Sequence, residues 1–251
     1  MNDYIYKFFR DRFYNYFRHI HCPSKFIANE LKKHKYTAKL HIISNGVDED
    51  FKVNKQKKPN EYDGKFVITM VGRLSPEKRQ ELLIEAVKKS KYKEKIQLIF
   101  CGKGPKQKNL EEKSKDLPNK VVFGFYSKKD LINILNFTDL YVHTSDVEIE
   151  AISCLEAIAT GLVPVISDSK ESATNQFAID ERSLFKHGDS NDLANKIDYW
   201  IENDCERRKM ETKYAEEVNN NYRIAQSIIK ITNMFDEEII DCDNLNNNFY
   251  F

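Results

Sequence analysis

From Lys65 onward, short apolar runs alternate with amphipathic helical segments, and this alternation constrains the fold more than any other feature of the chain. The runs are FVITMV (66–71), IQLIFC (96–101), VVF (121–123), LYVH (140–143) and VPVIS (163–167), and helical stretches fall between them at about 76–91, 105–116, 128–137 and 151–160. A strand with one wet face alternates apolar and polar residues, whereas a strand that is apolar throughout must be covered on both faces. Helices between consecutive strands supply that cover and make the crossovers that a parallel sheet needs. The predicted fold class is therefore α/β: a doubly wound parallel sheet, with extra helices toward both ends of the chain.

The flanks read differently. Residues 1–20 set Ile5, Phe9, Phe13, Phe17 and Ile20 near helical spacing, with Lys7, Arg10, Arg12 and Arg18 elsewhere on the turn. This predicts an amphipathic helix. Its apolar face either packs on the rest of the protein or rests on an anionic membrane surface, because a basic helix carrying Phe and Tyr suits the headgroup region. A second helix is predicted after Pro23, with Ser24 as N-cap and Phe26, Ile27 and Leu31 on the buried face. LHIISNGVD then reads as a strand and a turn at Asn45-Gly46. The predicted plan is residues 1–50 (helix, helix, strand), a polar linker at 51–64, a Rossmann-like domain at 65–205, C-terminal helices at 206–241 and a frayed tail at 242–251.

A chain of 251 residues has room for one large α/β domain or two small ones. Its 40 Lys+Arg against 39 Asp+Glu exclude the broad basic field of a nucleic-acid binder. Five cysteines without a CxxC pair, and no His at metal-ligand spacing, point to reduced thiols in a cytoplasmic protein and away from a zinc site or a secreted disulfide framework. No apolar run approaches the roughly 18–20 residues of a membrane span, and the N-terminus lacks the pattern of a signal peptide. The expectation is a cytoplasmic chain, either soluble or peripheral at the cytoplasmic face of a membrane.

Doubly wound sheets bind ligands beyond the C-terminal ends of their strands. The loop VGRLSPEKRQ places Gly72 at a sharp turn, Arg73 at the sheet edge and Lys78 in the first helical turn, where the helix dipole prefers an acid. These cations read either as an anion site or as solvated surface charge. CGKGPKQKNL forms neither GxGxxG nor a P-loop, so Gly102 and Gly104 read as aids to chain reversal. HTSDVEIEAISCLEAIATGLVPVIS carries Glu148 and Glu156, the latter about two turns into a helix predicted to begin near Glu150. A carboxylate in such an apolar run costs several kcal/mol unless paired, so it requires hydroxyls, a cation or a capping role.

Together CPSKFIANELKK, HIISNGVD, VGRLSPEKRQELLIEAV, LIFCGKGPKQKNL, FGFYSKKDL, LYVHTSDVEIEAISCLEAIATGLVPVIS and SKESATNQF resemble the C-terminal half of a GT-B glycosyltransferase, across about residues 20–235. The resemblance is to the retaining group that includes glycogen synthase-like and lipid glycosyltransferases. SDVEIE and GLVPVIS look most like bacterial glucosyltransferases that build diacylglycerol glycolipids.

The resemblance implies transfer of a hexose, glucose first, from a nucleotide-sugar such as UDP-glucose to a lipid or glycan acceptor. It assigns Arg73 and Lys78 to the donor diphosphate, Glu148 to sugar hydroxyls, and Gly72 with the backbone of Ala151 and Ile152 to the phosphate region. Glu156 falls to the ribose, and Phe125 and Tyr126 to the wall around the base, by stacking or by packing. It implies no metal and no cofactor beyond the donor. Where relatives carry a glycine soon after the first glutamate, this chain has Ile149, Glu150 and Ala151. Only the last elements of a second, acceptor-binding domain match, which implies a separate N-terminal-half partner or, alternatively, a catalytically silent binding or assembly module.

Overall fold

The structure, a computed structural model, describes residues 3–248. The chain forms two compact units, one of residues up to Gly46 together with those from Tyr222 onward, the other running from Val47 to Asn221.

The first unit opens with α1 (Asp3–Arg12) and a 3₁₀ turn at Tyr14–Tyr16, followed by β1 (His19–Cys22), α2 (Lys25–Lys33) and β2 (Lys39–Ile42). Ser24 caps α2 as predicted, its Oγ accepting from the Ile27 N–H at 3.3 Å. β1 and β2 pair in parallel, His21 opposite His41, above a core of Ile20, Cys22, Ala28 and Tyr36. The helix predicted over 1–20 stops at Arg12, because Ile20 is taken into strand pairing and Phe17 lies beyond the 3₁₀ turn. Its predicted apolar face is exposed at Ile5, Phe9, Phe13 and Phe17. Tyr6 and Tyr14 make the packing contacts instead, with Tyr6 stacked on His34 at 3.8 Å.

In the second unit β3 (Phe66–Val71) leads through a 3₁₀ turn at Pro76–Lys78 into α3 (Gln80–Lys89). Then come β4 (Ile96–Cys101), α4 (Gln107–Lys113), β5 (Val122–Gly124), α5 (Lys128–Phe137), β6 (Leu140–His143), α6 (Ile152–Ala159) and β7 (Pro164–Asp168). β8 (Leu184–Lys186), α7 (Ser190–Glu202) and α8 (Asp204–Asn221) complete the unit. All six strands are parallel, in the order β5-β4-β3-β6-β7-β8. This is the doubly wound Rossmann order, and its direction reverses between β3 and β6.

Three differences from the sequence reading have physical causes. The predicted helix at 76–91 is broken at Arg79, which adopts φ +52°. The predicted linker is stitched to the end of α5: the Asn54 and Gln56 N–H groups donate to the Asn136 side chain and carbonyl at 2.7 and 3.1 Å, and Phe51 is buried. The predicted tail instead prolongs α9 (Ile224–Asn248), a helix that belongs to the first unit, while 249–251 lie outside the described residues. Among the described residues no helix is long and apolar enough to cross a membrane.

Candidate functional site

A cavity of about 630 Å³ opens at the carboxyl ends of β3 and β4, lined by Gly72, Arg73, Lys103, Phe125, Tyr126 and Leu131 among others. The loops that build its floor are held backbone to backbone. The Gly72 N–H donates to the Cys101 carbonyl at 3.0 Å, and that of Leu74 to Lys103 at 3.2 Å. A Cβ on Gly102 would fall 1.9 Å from the Gly72 carbonyl oxygen, and one on Gly104 would fall 2.3 Å from that of Leu74. The two glycines therefore permit close approach of two loops, a stricter demand than the chain reversal read from the sequence.

Arg73 projects from this floor, exposed, and its guanidinium makes no hydrogen bond or ion pair among the described residues. Lys103, which sequence reasoning passed over, lies on the same cavity with its ammonium 4.4 Å from the centre of the Phe125 ring. The two aromatic residues differ in role. Tyr126 packs against the cluster of Val67, Ile99, Cys101 and Ile134, and burial raises its phenol pKa; Phe125 is 71% exposed and offers a free ring face.

Lys78 connects the cavity to a second group of residues. Its aliphatic stem runs within 3.8 Å of where a Gly72 Cβ would sit, and its ammonium ion-pairs with Glu148. Glu148 Oε1 also receives the His143 Nε2–H at 2.9 Å. The other ring nitrogen of His143, Nδ1, lies 3.1 Å from the Tyr141 hydroxyl, which donates to Ser153 Oγ at 3.4 Å. Burial pushes the Glu148 carboxyl upward, but His143 and Lys78 outweigh it and bring the pKa down to about 2. The Thr144 hydroxyl holds the turn that carries Lys78, donating to the carbonyls of Lys78 and Arg79 at 2.7 and 3.0 Å.

β6 leads through this loop into α6, which begins at Ile152 rather than near Glu150. Ala151 enters the helix with φ +63° and ψ +61°, a backbone conformation that suits glycine. Ser153 donates to the Val71 carbonyl at 3.3 Å, so the first turn of α6 is tied to the cavity rim at the end of β3.

Glu156, one turn beyond Ile152, stands outside the cavity lining and faces Lys128 and Asp48. Burial raises its pKa to about 7, with Lys128 pulling the other way and Asp48 adding to the rise. Lys128 is itself held by Asp48 and Asp50, each at 2.7 Å. The structure thus joins Gly72, Arg73, Phe125 and Tyr126 in one cavity, links Lys78 and Glu148 to its edge, and sets Glu156 along the same helix as Ile152.

These features can be compared with known proteins. A model of the family described as glycosyl transferases group 1 matches residues 51–218. The chain belongs to the group 1 glycosyltransferases. A second model, glycosyltransferase family 4, matches residues 1–51.

This group 1 glycosyltransferase is 24% identical over 191 residues to the alpha-monoglucosyldiacylglycerol synthase of Streptococcus pneumoniae, covering 70% of this chain and 43% of that protein. It is 30% identical over 141 residues to an uncharacterised glycosyltransferase of Methanocaldococcus jannaschii, covering 51% and 36%. The chain therefore spans about two fifths of the length of these curated relatives. Among solved structures, the catalytic domain of the cholesterol-alpha-glucosyltransferase from Helicobacter pylori is 50% identical, with a TM-score of 0.57 over 62% of this chain and 99% of that one. Anabaena HepE in complex with UDP and glucose shares the fold, with a TM-score of 0.80 over 94% of this chain and 68% of that one at 18% identity.

Proposed function

We propose that this chain is the donor-binding part of a retaining glycosyltransferase that moves a hexose, glucose first, from a UDP-sugar to a lipid or glycan acceptor. The observation that carries this reading is the Lys78–Glu148 pair set against Gly72 at the reversal between β3 and β6. That pair puts a cation and a carboxylate side by side where a diphosphate and its attached sugar would meet.

On this reading Arg73 and Lys78 take the diphosphate and stabilise the charge that builds on the departing nucleotide. Glu148, held ionised, accepts from sugar hydroxyls, and His143 fixes its orientation. Backbone N–H groups at Ala151 and Ile152 face the phosphates. Glu156 accepts from ribose hydroxyls, while Phe125 stacks on the base and Tyr126 shapes the wall behind it. With this cationic set on the diphosphate, the leaving phosphate takes the acceptor proton during front-face attack.

Two similar proteins support glucose and a lipid acceptor, the monoglucosyldiacylglycerol synthase and the cholesterol glucosyltransferase. The matched segment covers 43% of that synthase, so the reading includes an acceptor-binding half, in the same or a separate polypeptide. A second reading, an assembly module that docks on a membrane or protein, is favoured by the exposed Phe8, Phe9 and Phe13 beside Lys7 and Arg12. Calorimetric titration of UDP and UDP-glucose into the chain, Arg73→Ala and Glu156→Ala distinguishes the two. Donor binding predicts at least about tenfold weaker affinity in each variant, the loss of about one charge-assisted contact; equal heats in all three proteins overturn it.

A further inference from the structure

The first unit contains a cluster of titratable groups that the donor site does not use. His19 on β1 and His41 on β2 lie diagonally on one face of the two-stranded sheet, their rings 5.0 Å apart and 21° from parallel. His19 Nδ1 stands 2.8 Å from His41 Nε2. On its other side His19 Nε2 lies 2.9 Å from Asp241 Oδ2 and 3.3 Å from Glu238 Oε2, both on α9. Those carboxylates fix the His19 proton on Nε2, so Nδ1 presents a lone pair toward His41. Glu237 Oε2, also on α9, lies 3.8 Å from His41 Nε2.

The geometry points to His19, His41 and Glu237 as the ligands of one divalent transition-metal ion, zinc by chemistry, that fastens α9 to β1 and β2. The three ligand atoms fall within 4.8 Å of one another. The imidazoles are largely dry, with side-chain exposures of 3% and 13%. Two imidazoles with a carboxylate select zinc over magnesium or calcium, which prefer all-oxygen sets. Asp241 supplies the carboxylate-to-imidazole bond that orients metal-bound histidines.

The local charge agrees. Besides the two imidazoles, the cations paired with Glu237, Glu238 and Asp241 among the described residues are Arg18, at 2.7 Å from Glu238, and Lys39, at 2.5 Å from Glu237. Three carboxylates against two cations leave room for added positive charge. Metal–nitrogen bonds of about 2.0–2.1 Å at a tetrahedral angle need roughly 3.3 Å between the nitrogens, so loading parts the two rings by about 0.5 Å. Lys39 is well exposed, and its ammonium is free to move into water when the ion takes Glu237. Sequence spacing gave no sign of this site, because strand register and the return of α9 bring its members together.

The test uses the full chain and zinc in competition with a chromophoric chelator, repeated with His41→Ala, Asp241→Asn and Lys39→Met. The expected result is one zinc per chain, with affinity lowered about 10–100-fold by Asp241→Asn, lowered further by His41→Ala and raised by Lys39→Met. Zinc should also raise the Tm of the unmodified chain, since only the folded protein offers the site. Nitrogen NMR of the unmodified chain should show shifts at His19 Nδ1 and His41 Nε2, which keeps the test open if a variant fails to fold. Zinc affinity unaltered in folded His41→Ala, no histidine shift on adding zinc, or cobalt spectra dominated by thiolate charge transfer would overturn the assignment.

Discussion

Replacing Glu156 with glutamine should make the protein more stable at alkaline pH and leave it nearly unchanged at acid pH. The Glu156 carboxyl is raised from 4.5 to about 7, chiefly by burial. Between those values the folded state holds a proton that the unfolded state has released, so stability falls as pH rises across that window and levels off above it. At 1.36 kcal/mol per unit the full effect is about 3 kcal/mol. The side chain is partly reached by solvent, and only part of the window lies between pH 5 and 8, so a working figure is about 2 kcal/mol. Urea denaturation at pH 5, 6, 7 and 8 reads this directly: wild-type stability should slope downward, whereas the Glu156→Gln curve should be flatter and lie above it at pH 8. Parallel curves, or a variant that loses stability at pH 8, would refute the reasoning. The same carboxylate should govern donor binding if it accepts from ribose hydroxyls. UDP binding at pH 6.5 would then release a proton, visible as a calorimetric enthalpy that depends on the buffer.

Two further outcomes follow from backbone geometry. Ala151→Gly relieves about 1–2 kcal/mol of left-handed strain against about 0.5–1 kcal/mol of added chain entropy, so a small rise in Tm is expected, and a fall would contradict the assigned conformation. Gly102→Ala drives a methyl group into the Gly72 carbonyl and should cost about 1–3 kcal/mol in denaturant melts while weakening UDP binding; a neutral result would show that the two loops are not in contact.

The central strands were legible in the sequence because each is buried on both faces and so reads as a mostly apolar run without alternation. β8 was not, since three residues with a single buried one, Phe185, leave no such run. Periodicity carried the N-terminal helix too far because it cannot register that Ile20 pairs with Leu40 across a sheet. At the site, Arg73, Lys78, Glu148 and Glu156 stood out as charges in apolar or helix-start positions. His143 and Thr144 did not, because a histidine or threonine that closes a buried strand looks like any other core residue until its partners are known. The pairing of Lys78 with Glu148 spans 70 positions and follows from strand order alone.

Arg73 is flanked in sequence by two residues, Gly72 and Leu74, whose amides are already bonded to the neighbouring loop. The backbone that presents the guanidinium is thus rigid before any ligand arrives, and ordering is left to the side chain alone. Association should therefore be fast and show little slow rearrangement, and the amide protons of Gly72 and Leu74 should exchange slowly with solvent in the free protein.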